Sequence, residues 1–396
     1  MHPSEEIYCE KSKRLRGKTI VIGITGSIAA TECFTLIREL IRNGAKIIPV
    51  MTLNATKLVA PDSIEFACGM KPIVELGGQV EHITYLGCAS AADLFLVYPA
   101  TANTISKMAT GIDDTSVTSM AVVALGGNVP VAVAPAMHQQ MFDNPAVSRN
   151  IETLRSWGVH VIGPNKEGPR AKIASKEEVV AWTIKLLSRN DFNGKRMLII
   201  GGRSEEPIDS MRMITNRSTG LMSVTLAQRA FERGASVELW MGGCSVPLPD
   251  YIPVKRFTKV SDLLQMIDTI DQDVVIVPAA LADFTPADSK EGKIPSDKKF
   301  DMILNPVPKV LPLIRKKCEN VIGFKAESGL ELSELEARAR SRLEEYGLKA
   351  VVANDVDSVG RISTSATFVT SDSSKNITGS KSDISDAILD FCAAKL

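Results

Sequence analysis

Twice in 396 residues the chain runs from an apolar segment through a glycine turn into a helix. The first instance, residues 17–43, reads GKTIVIGITGSIAATECFTLIRELIRN. Cys33, Ile37, Leu40 and Ile41 fall on one helical face, and Gly44 ends the helix. The second begins at residues 194–203, GKRMLIIGGR. A strand that feeds a helix through a tight turn points to a parallel α/β sheet. It is also a ready anion site, because the first helical N–H groups are unpaired and the helix dipole adds positive potential.

The alternation continues along the chain. Apolar runs predict strands at 19–24, 46–51, 93–98, 129–134 and 159–162, with helical patterns between them. A run such as VAVAPA (131–136) fits a strand covered on both faces. Residues 163–178 are polar, a short helix ends near Arg189, and the turn-rich NDFNG at 190–194 marks a boundary. Strands are predicted again at 196–200, 236–240, 273–277, 320–324 and 349–353, then a segment at 361–370 and a final helix near 382–394. The fold reading is α/β, with two consecutive Rossmann-like parallel-sheet domains. They span 18–189 and 190–396, after an N-terminal extension at 1–17.

Composition removes several function classes. The 46 basic and 46 acidic residues cancel, and aromatics are only 5%, so neither a nucleic-acid platform nor a membrane surface is indicated. The uncharged run 117–137 is broken by Gly126-Gly127-Asn128 and Pro130, and reads as helix, turn and buried strand. The N-terminus has no apolar core of a signal peptide. Seven widely spaced cysteines with no CxxC predict reduced thiols, no zinc site and a cytoplasmic protein.

Ligands of parallel sheets bind at the carboxyl ends of the strands. In the first half those ends carry Gly26-Ser27, Thr52, PATAN (99–103) and PAMHQQM (135–141). The opening turn is GITGS, not GxGxxG, and the second strand ends at Met51-Thr52 with no acid for a ribose 2′-hydroxyl. A mononucleotide therefore fits better than a dinucleotide.

The motifs GITGSIAA, MTLNA, His82 ahead of a small-residue helix, PATANT, GIDD and PAMHQQM together resemble the flavoprotein family of cysteine decarboxylases. With the second half added, the chain from about Gly17 onward resembles the family of bifunctional phosphopantothenoylcysteine decarboxylase/phosphopantothenate–cysteine ligases of coenzyme A synthesis. The resemblance implies a flavodoxin-like domain that binds FMN. Gly26, Ser27 and the helix start hold its phosphate. Thr52, Ala100, Thr101 and Asn103 line the flavin, and His82 is the catalytic base. FMN supplies the electron sink that decarboxylation needs.

Two positions depart from the family pattern. His138 stands where PAMN carries the Asn that holds the substrate carboxylate, and an imidazole can also donate to a carboxylate. Lys172, in RAKIA (170–174), stands where the family's flap carries an acid cysteine. A lysine desolvated by flap closure can deliver the proton. The alternative is a contact with substrate phosphate or solvent, with protonation from water.

In the second half, EEPIDSMRMITNRSTG (205–220) follows a glycine turn at Gly202 and resembles the ligase signature EPxDxVRxIxNxSSG. It is not a P-loop. AALADF (279–284), KEGKIPSDKK (290–299), GFKAES (323–328) and AND (353–355) match further ligase segments. The resemblance implies that 4′-phosphopantothenate attacks a nucleoside triphosphate, CTP or ATP, and that cysteine displaces the nucleotide from the acyl-nucleotide. It assigns Asn216 and Arg212 to the acyl-nucleotide, and Asp283 to the nucleotide or its Mg2+ or other divalent ion. Lys293 leads for the triphosphate and Lys298 is second. Gly202, Asp209, Ser218, Gly220, Ala280, Phe324 and Asn354 complete the nucleotide and substrate set.

The resemblance also implies a homo-oligomer, trimeric or dodecameric through the flavin domain and dimeric through the ligase domain. The partners expected are the small-molecule substrates 4′-phosphopantothenate, cysteine and a nucleoside triphosphate. Two rivals stand beside it. One is a flavin-binding regulatory subunit without decarboxylase activity. The other is an NAD-linked oxidoreductase, which lacks both glycine fingerprints and both ribose-binding acids here.

Overall fold

The computed structural model describes residues 2–167, 170–295, 297, 299–327, 329–355 and 363–396. Side chains are described for these apart from 165–167, 170–172, 355, 363 and 364. The chain divides into two compact units, Met1–Ser188 and Arg189–Leu396.

The first unit is built on a parallel sheet of β1 (Thr19–Ile24), β2 (Lys46–Met51), β3 (Leu94–Ala100), β4 (Val131–Pro135) and β5 (His160–Val161), in the order β2-β1-β3-β4-β5. Side chains alternate across it. Ile20, Ile22, Ile24, Leu96 and Tyr98 enter one core with Cys33, Leu36, Ile37 and Leu40 of the helix Cys33–Arg42. Val21, Phe95, Val97 and Val133 enter the opposite core with Ile105, Val117, Met120 and Ile151. Both faces are dry, which explains why these strands read as continuous apolar runs.

Residues 2–17 are docked onto the rest of this unit. The Cys9 N–H donates to the Ile41 carbonyl at 3.2 Å and the Leu15 N–H to the Asn43 carbonyl at 2.8 Å. Leu15 is fully buried. The segment therefore closes the carboxyl end of the helix Cys33–Arg42.

The second unit contains an eight-stranded sheet. Its members are β6 (Arg196–Gly201), β7 (Ser236–Met241), β8 (Val254–Arg256), β9 (Val274–Val277), β10 (Val321–Glu327), β11 (Ala350–Asp355), β12 (Ser363–Thr370) and β13 (Ser374–Ser380). The order is β8-β7-β6-β9-β10-β11-β12-β13, parallel through β11 and antiparallel beyond it. The first six strands thus follow the doubly wound order 3-2-1-4-5-6, whereas the first unit has the flavodoxin-like order 2-1-3-4-5. Two openings with similar sequences lead into differently wound sheets.

The helix Leu221–Glu232 and the last helix, Lys381–Lys395, pack together in the second unit. Arg229 ties them. Its guanidinium donates to both Asp386 carboxylate oxygens and to Glu232. Among the described residues no helix is long and apolar enough to cross a membrane.

Candidate active sites

In the first unit, backbone and hydroxyl hydrogen bonds join the carboxyl ends of three adjacent strands. The buried Thr25 hydroxyl, just past β1, donates to the Pro99 carbonyl of β3 at 2.6 Å and accepts from the Thr101 N–H at 3.1 Å. The Thr52 N–H after β2 donates to the Ile24 carbonyl at 3.0 Å. From this edge three hydroxyls cap three helix starts. Ser27 accepts from the Ala29 N–H at 3.4 Å, Thr52 from the Ala55 N–H at 3.2 Å and Thr101 from the Thr104 N–H at 3.2 Å. An L side chain cannot replace Gly26 without a shift, because a Cβ there would lie 2.7 Å from Asn54 Cβ.

Gly26, Ser27, Ala100, Thr101 and Asn103 thus meet where the strand order reverses between β1 and β3, with Thr52 on the neighbouring strand end. In sheets of this order the β1/β3 reversal is where a flavin mononucleotide sits. Hydroxyls and helix starts gathered there suit a phosphate, and the closeness of Asn54 to Gly26 leaves a cradle that a Cβ would fill.

The two histidines sit elsewhere. His82 lies in the first turn of the helix Glu81–Leu86, which packs on the helix Ser116–Gly126. Its Nδ1 is buried and has no hydrogen-bond partner. A buried ring nitrogen in that state costs free energy unless a ligand or partner meets it. His138 is exposed and starts the helix Gln139–Phe142 beyond β4. That helix lies beside the strand Arg170–Lys172, which pairs antiparallel with Asn165–Glu167. The structure brings the backbones of the His138 and Lys172 segments together; the Lys172 side chain lies outside the described set.

In the second unit a cavity of about 490 Å³ opens at the corresponding sheet edge. Of the residues expected there from sequence, Asn216, Ser218, Gly220, Ala280, Asp283, Phe324 and Asn354 line it. Asn216 Nδ2 donates to the Ala280 carbonyl at 3.0 Å. Among the described residues the lining also contains Arg217, Lys309, Lys325, Arg342 and Lys381 against a single carboxylate, Asp283. Lys309 pairs with Asp283, and Lys325 with Glu327 at 3.1 Å. A cavity with this balance takes an anion.

Four expected residues, Gly202, Asp209, Arg212 and Lys293, do not line the cavity. Gly202, at φ +78°, sits where three chain segments cross. Its carbonyl accepts from the Ala280 N–H at 2.8 Å, and a Cβ on it would meet the Gly243 oxygen at 2.9 Å. Asp209 accepts from the N–H groups of Met211 (2.8 Å), Arg212 (2.7 Å) and Ile294 (3.0 Å), and from Arg212 Nη1 (3.1 Å). The Ile294 and Met211 donors come first among the causes that hold its carboxyl below the usual range. Arg212 Nη2 donates to the Ile294 carbonyl at 3.2 Å. Asp209 and Arg212 therefore pin the backbone next to Lys293, which is exposed. Lys298 lies outside the described residues.

The comparisons with known proteins decide the family. Residues 9–188 match the model of the Flavoprotein family, and 192–396 match that of the DNA/pantothenate metabolism flavoprotein C-terminal domain. The coenzyme A biosynthesis bifunctional protein CoaBC of Thermococcus kodakarensis is 41% identical over 95% of this chain and 95% of its own length. The chain belongs to the CoaBC family of bifunctional coenzyme A biosynthesis proteins. The CoaBC protein of Methanocaldococcus jannaschii is 37% identical over 98% of this chain and 97% of its own. A solved structure titled as the C-terminal domain of CoaBC has 26% identity and a TM-score of 0.42. It covers 52% of this chain and 97% of that one.

For this CoaBC family member, a reading along the sequence misses Lys309, Arg342 and Lys381 in the ligase-half cavity. Each is one basic residue on or beside a helix, and nothing in its neighbours marks it. Only the folded sheet brings them to one edge.

Proposed function

We propose that the second unit joins 4′-phosphopantothenate to cysteine through an acyl-nucleotide, and that the first unit decarboxylates the product to 4′-phosphopantetheine. The observation that carries this reading is the pairing, within one chain, of a capped cradle at the β1/β3 reversal and a cation-lined cavity at the edge of the second sheet.

In the first unit FMN is the cofactor, held by Gly26, Ser27, Thr52, Ala100, Thr101 and Asn103, and it supplies the electron sink for loss of CO2. His82 is the base; its unpartnered Nδ1 supports that role. His138 donates to the substrate carboxylate, and Lys172 is the proton donor at the position of the family's flap cysteine.

In the second unit the cavity cations offset the charge of the triphosphate while the substrate carboxylate attacks the α-phosphorus. Asn216, Ser218, Gly220, Ala280, Phe324 and Asn354 position the nucleotide and the acyl group. Lys293 reaches the phosphates from the segment that Asp209 and Arg212 anchor. A single carboxylate beside phosphate oxygens is a donor set that suits Mg2+, so Asp283 would hold the metal. CTP or ATP is the nucleotide. The assembly is a homo-oligomer, trimeric through the flavin unit and dimeric through the ligase unit. Exposed Ile28 and Leu53 beside the cradle support a neighbouring subunit there.

The test supplies phosphopantothenate, cysteine and either CTP or ATP to the purified protein and follows pyrophosphate and CO2 together. Yellow protein that releases both is the expected result. A colourless protein that releases no CO2 from phosphopantothenoylcysteine removes the decarboxylase reading and leaves the ligase.

A further inference from the structure

One cation of the ligase cavity is given no individual partner or ligand above. Lys381 is the first residue of the last helix, directly after its Ser380 cap. It lines the cavity together with Ile384 of the same helix. The first turn is fixed: Asp383 Oδ2 accepts from the Ser380 N–H at 2.8 Å, and Ser380 Oγ accepts from the Asp383 N–H at 3.2 Å. The position of Lys381 therefore follows from the helix rather than from a loop.

The ammonium is in an unusual state. Lys309 and Lys325 of the same cavity have carboxylate partners. No carboxylate among the described residues pairs with Lys381. Asp383, two residues on, is turned to Ser380. The Lys381 side chain is half-buried, and burial pulls its ammonium below the ordinary lysine range. A half-desolvated charge without a counter-charge is costly, and a negative ligand in the cavity would offset that cost.

What the ligand would be follows from the rest of the wall. The neighbouring helix Leu221–Glu232 runs beside the last helix, with Ser385 Oγ 3.7 Å from Met222 Sδ near their starts. It begins at Gly220 with no side-chain cap. Residues Gly220, Leu221, Met222 and Ser223 of that start line the same cavity. The Gly220 and Leu221 N–H groups donate to the Ser218 and Thr219 hydroxyls at 3.4 Å. The helix-start N–H groups of Met222 and Ser223 and a lysine without a carboxylate partner, on two packed helices, match the charge and the acceptor oxygens of a phosphoryl group.

We propose that Lys381 binds a phosphoryl group of a ligase substrate, either of the nucleoside triphosphate or of 4′-phosphopantothenate. The proposal rests on the ligase reading above.

The test uses the full-length chain, with Lys381→Met to keep the apolar stem and Lys381→Arg to keep the charge. Pyrophosphate release is measured while each of the three substrates is varied in turn. Lys381→Met raises the KM of one phosphate-bearing substrate roughly ten- to a hundredfold, the size of a lost charge-assisted hydrogen bond. The KM for cysteine, which carries no phosphate, stays within about twofold, and Lys381→Arg restores most of the loss. A rise for the nucleotide assigns the phosphoryl group to it; a rise for phosphopantothenate assigns it there. Unchanged KM values for both, an equal rise for all three substrates, or no rescue by arginine overturns the proposal. If the wild-type protein releases no pyrophosphate with CTP or ATP, the ligase reading falls and the proposal falls with it.

Discussion

At the scale of single residues, the cradle depends on what Gly26 lacks. Its backbone is not in the left-handed region, so the constraint is contact alone: a Cβ would sit 2.7 Å from Asn54 Cβ. Gly26→Ala must push the strand-end turn away from the Asn54 segment. Overpacking of this kind costs about 1–3 kcal/mol. The expected outcome is a lower melting temperature and loss of flavin absorbance from the purified protein, with pyrophosphate release retained. Asp209 gives a second residue-scale test, by pH. Its carboxyl is held below the ordinary value of 3.8, first by the Ile294 and Met211 N–H donors. A depressed carboxyl stabilises the fold fully above its unfolded pKa and loses that contribution as pH falls through the folded value. The gap in urea midpoint between wild type and Asp209→Asn is therefore complete above about pH 4 and shrinks below it. A gap that stays constant down to pH 2.5 would refute the anchoring role.

At the scale of elements, the last helix shows how position and stability are linked. Asp386 holds the Arg229 guanidinium, which is 12% exposed and also bound to Glu232. Asp386→Ala leaves that guanidinium with one carboxylate and should cost about 2 kcal/mol, read from urea melts. Because the same helix starts at Lys381, the variant should also weaken ligation, whereas a helix fixed by its apolar face alone would keep wild-type kinetics. The elements differ in how legible they are in the sequence. β1–β4, β6 and β9 are readable because both faces are dry and their residues run almost wholly apolar; β7, β10 and β11 are readable from shorter apolar stretches, although β7 carries Glu238, β10 Lys325 and β11 a polar end. Ser374–Ser380 escapes such a reading. It is a sheet-edge strand of polar residues, SKNITGS, and register with β12 is what makes it a strand. The hairpin of Glu205–Pro207 and Met213–Thr215 is equally silent, because its residues answer to neighbouring segments: Glu206 accepts from the Val260 N–H at 2.9 Å. For the sites, glycine and hydroxyl clusters at strand ends are legible. The cavity lysines are not, since their meaning comes from the edge to which the fold delivers them.

At the scale of the whole molecule, each unit has its own sheet, its own cores and its own strand-end site. The first unit offers capping hydroxyls and an imidazole whose buried Nδ1 has no partner; the second offers, among the described residues, five cations around one carboxylate. These are different chemistries, so they should fail independently. His82→Asn removes the imidazole and leaves the residues lining the ligase cavity untouched. With phosphopantothenate, cysteine and nucleotide supplied, wild type should release pyrophosphate and CO2 in equal amounts. His82→Asn should keep pyrophosphate release within about twofold while CO2 release falls at least a hundredfold, because removal of a general base withdraws a factor of that order. Phosphopantothenoylcysteine should then accumulate in step with pyrophosphate. The reverse case is Asn216→Asp, which places a second carboxylate in the ligase cavity. It should stop pyrophosphate release and still decarboxylate phosphopantothenoylcysteine supplied from outside. If His82→Asn lost both products at once while remaining folded, the two sites would have to work as one, and the independence argued from the two sheets would be wrong.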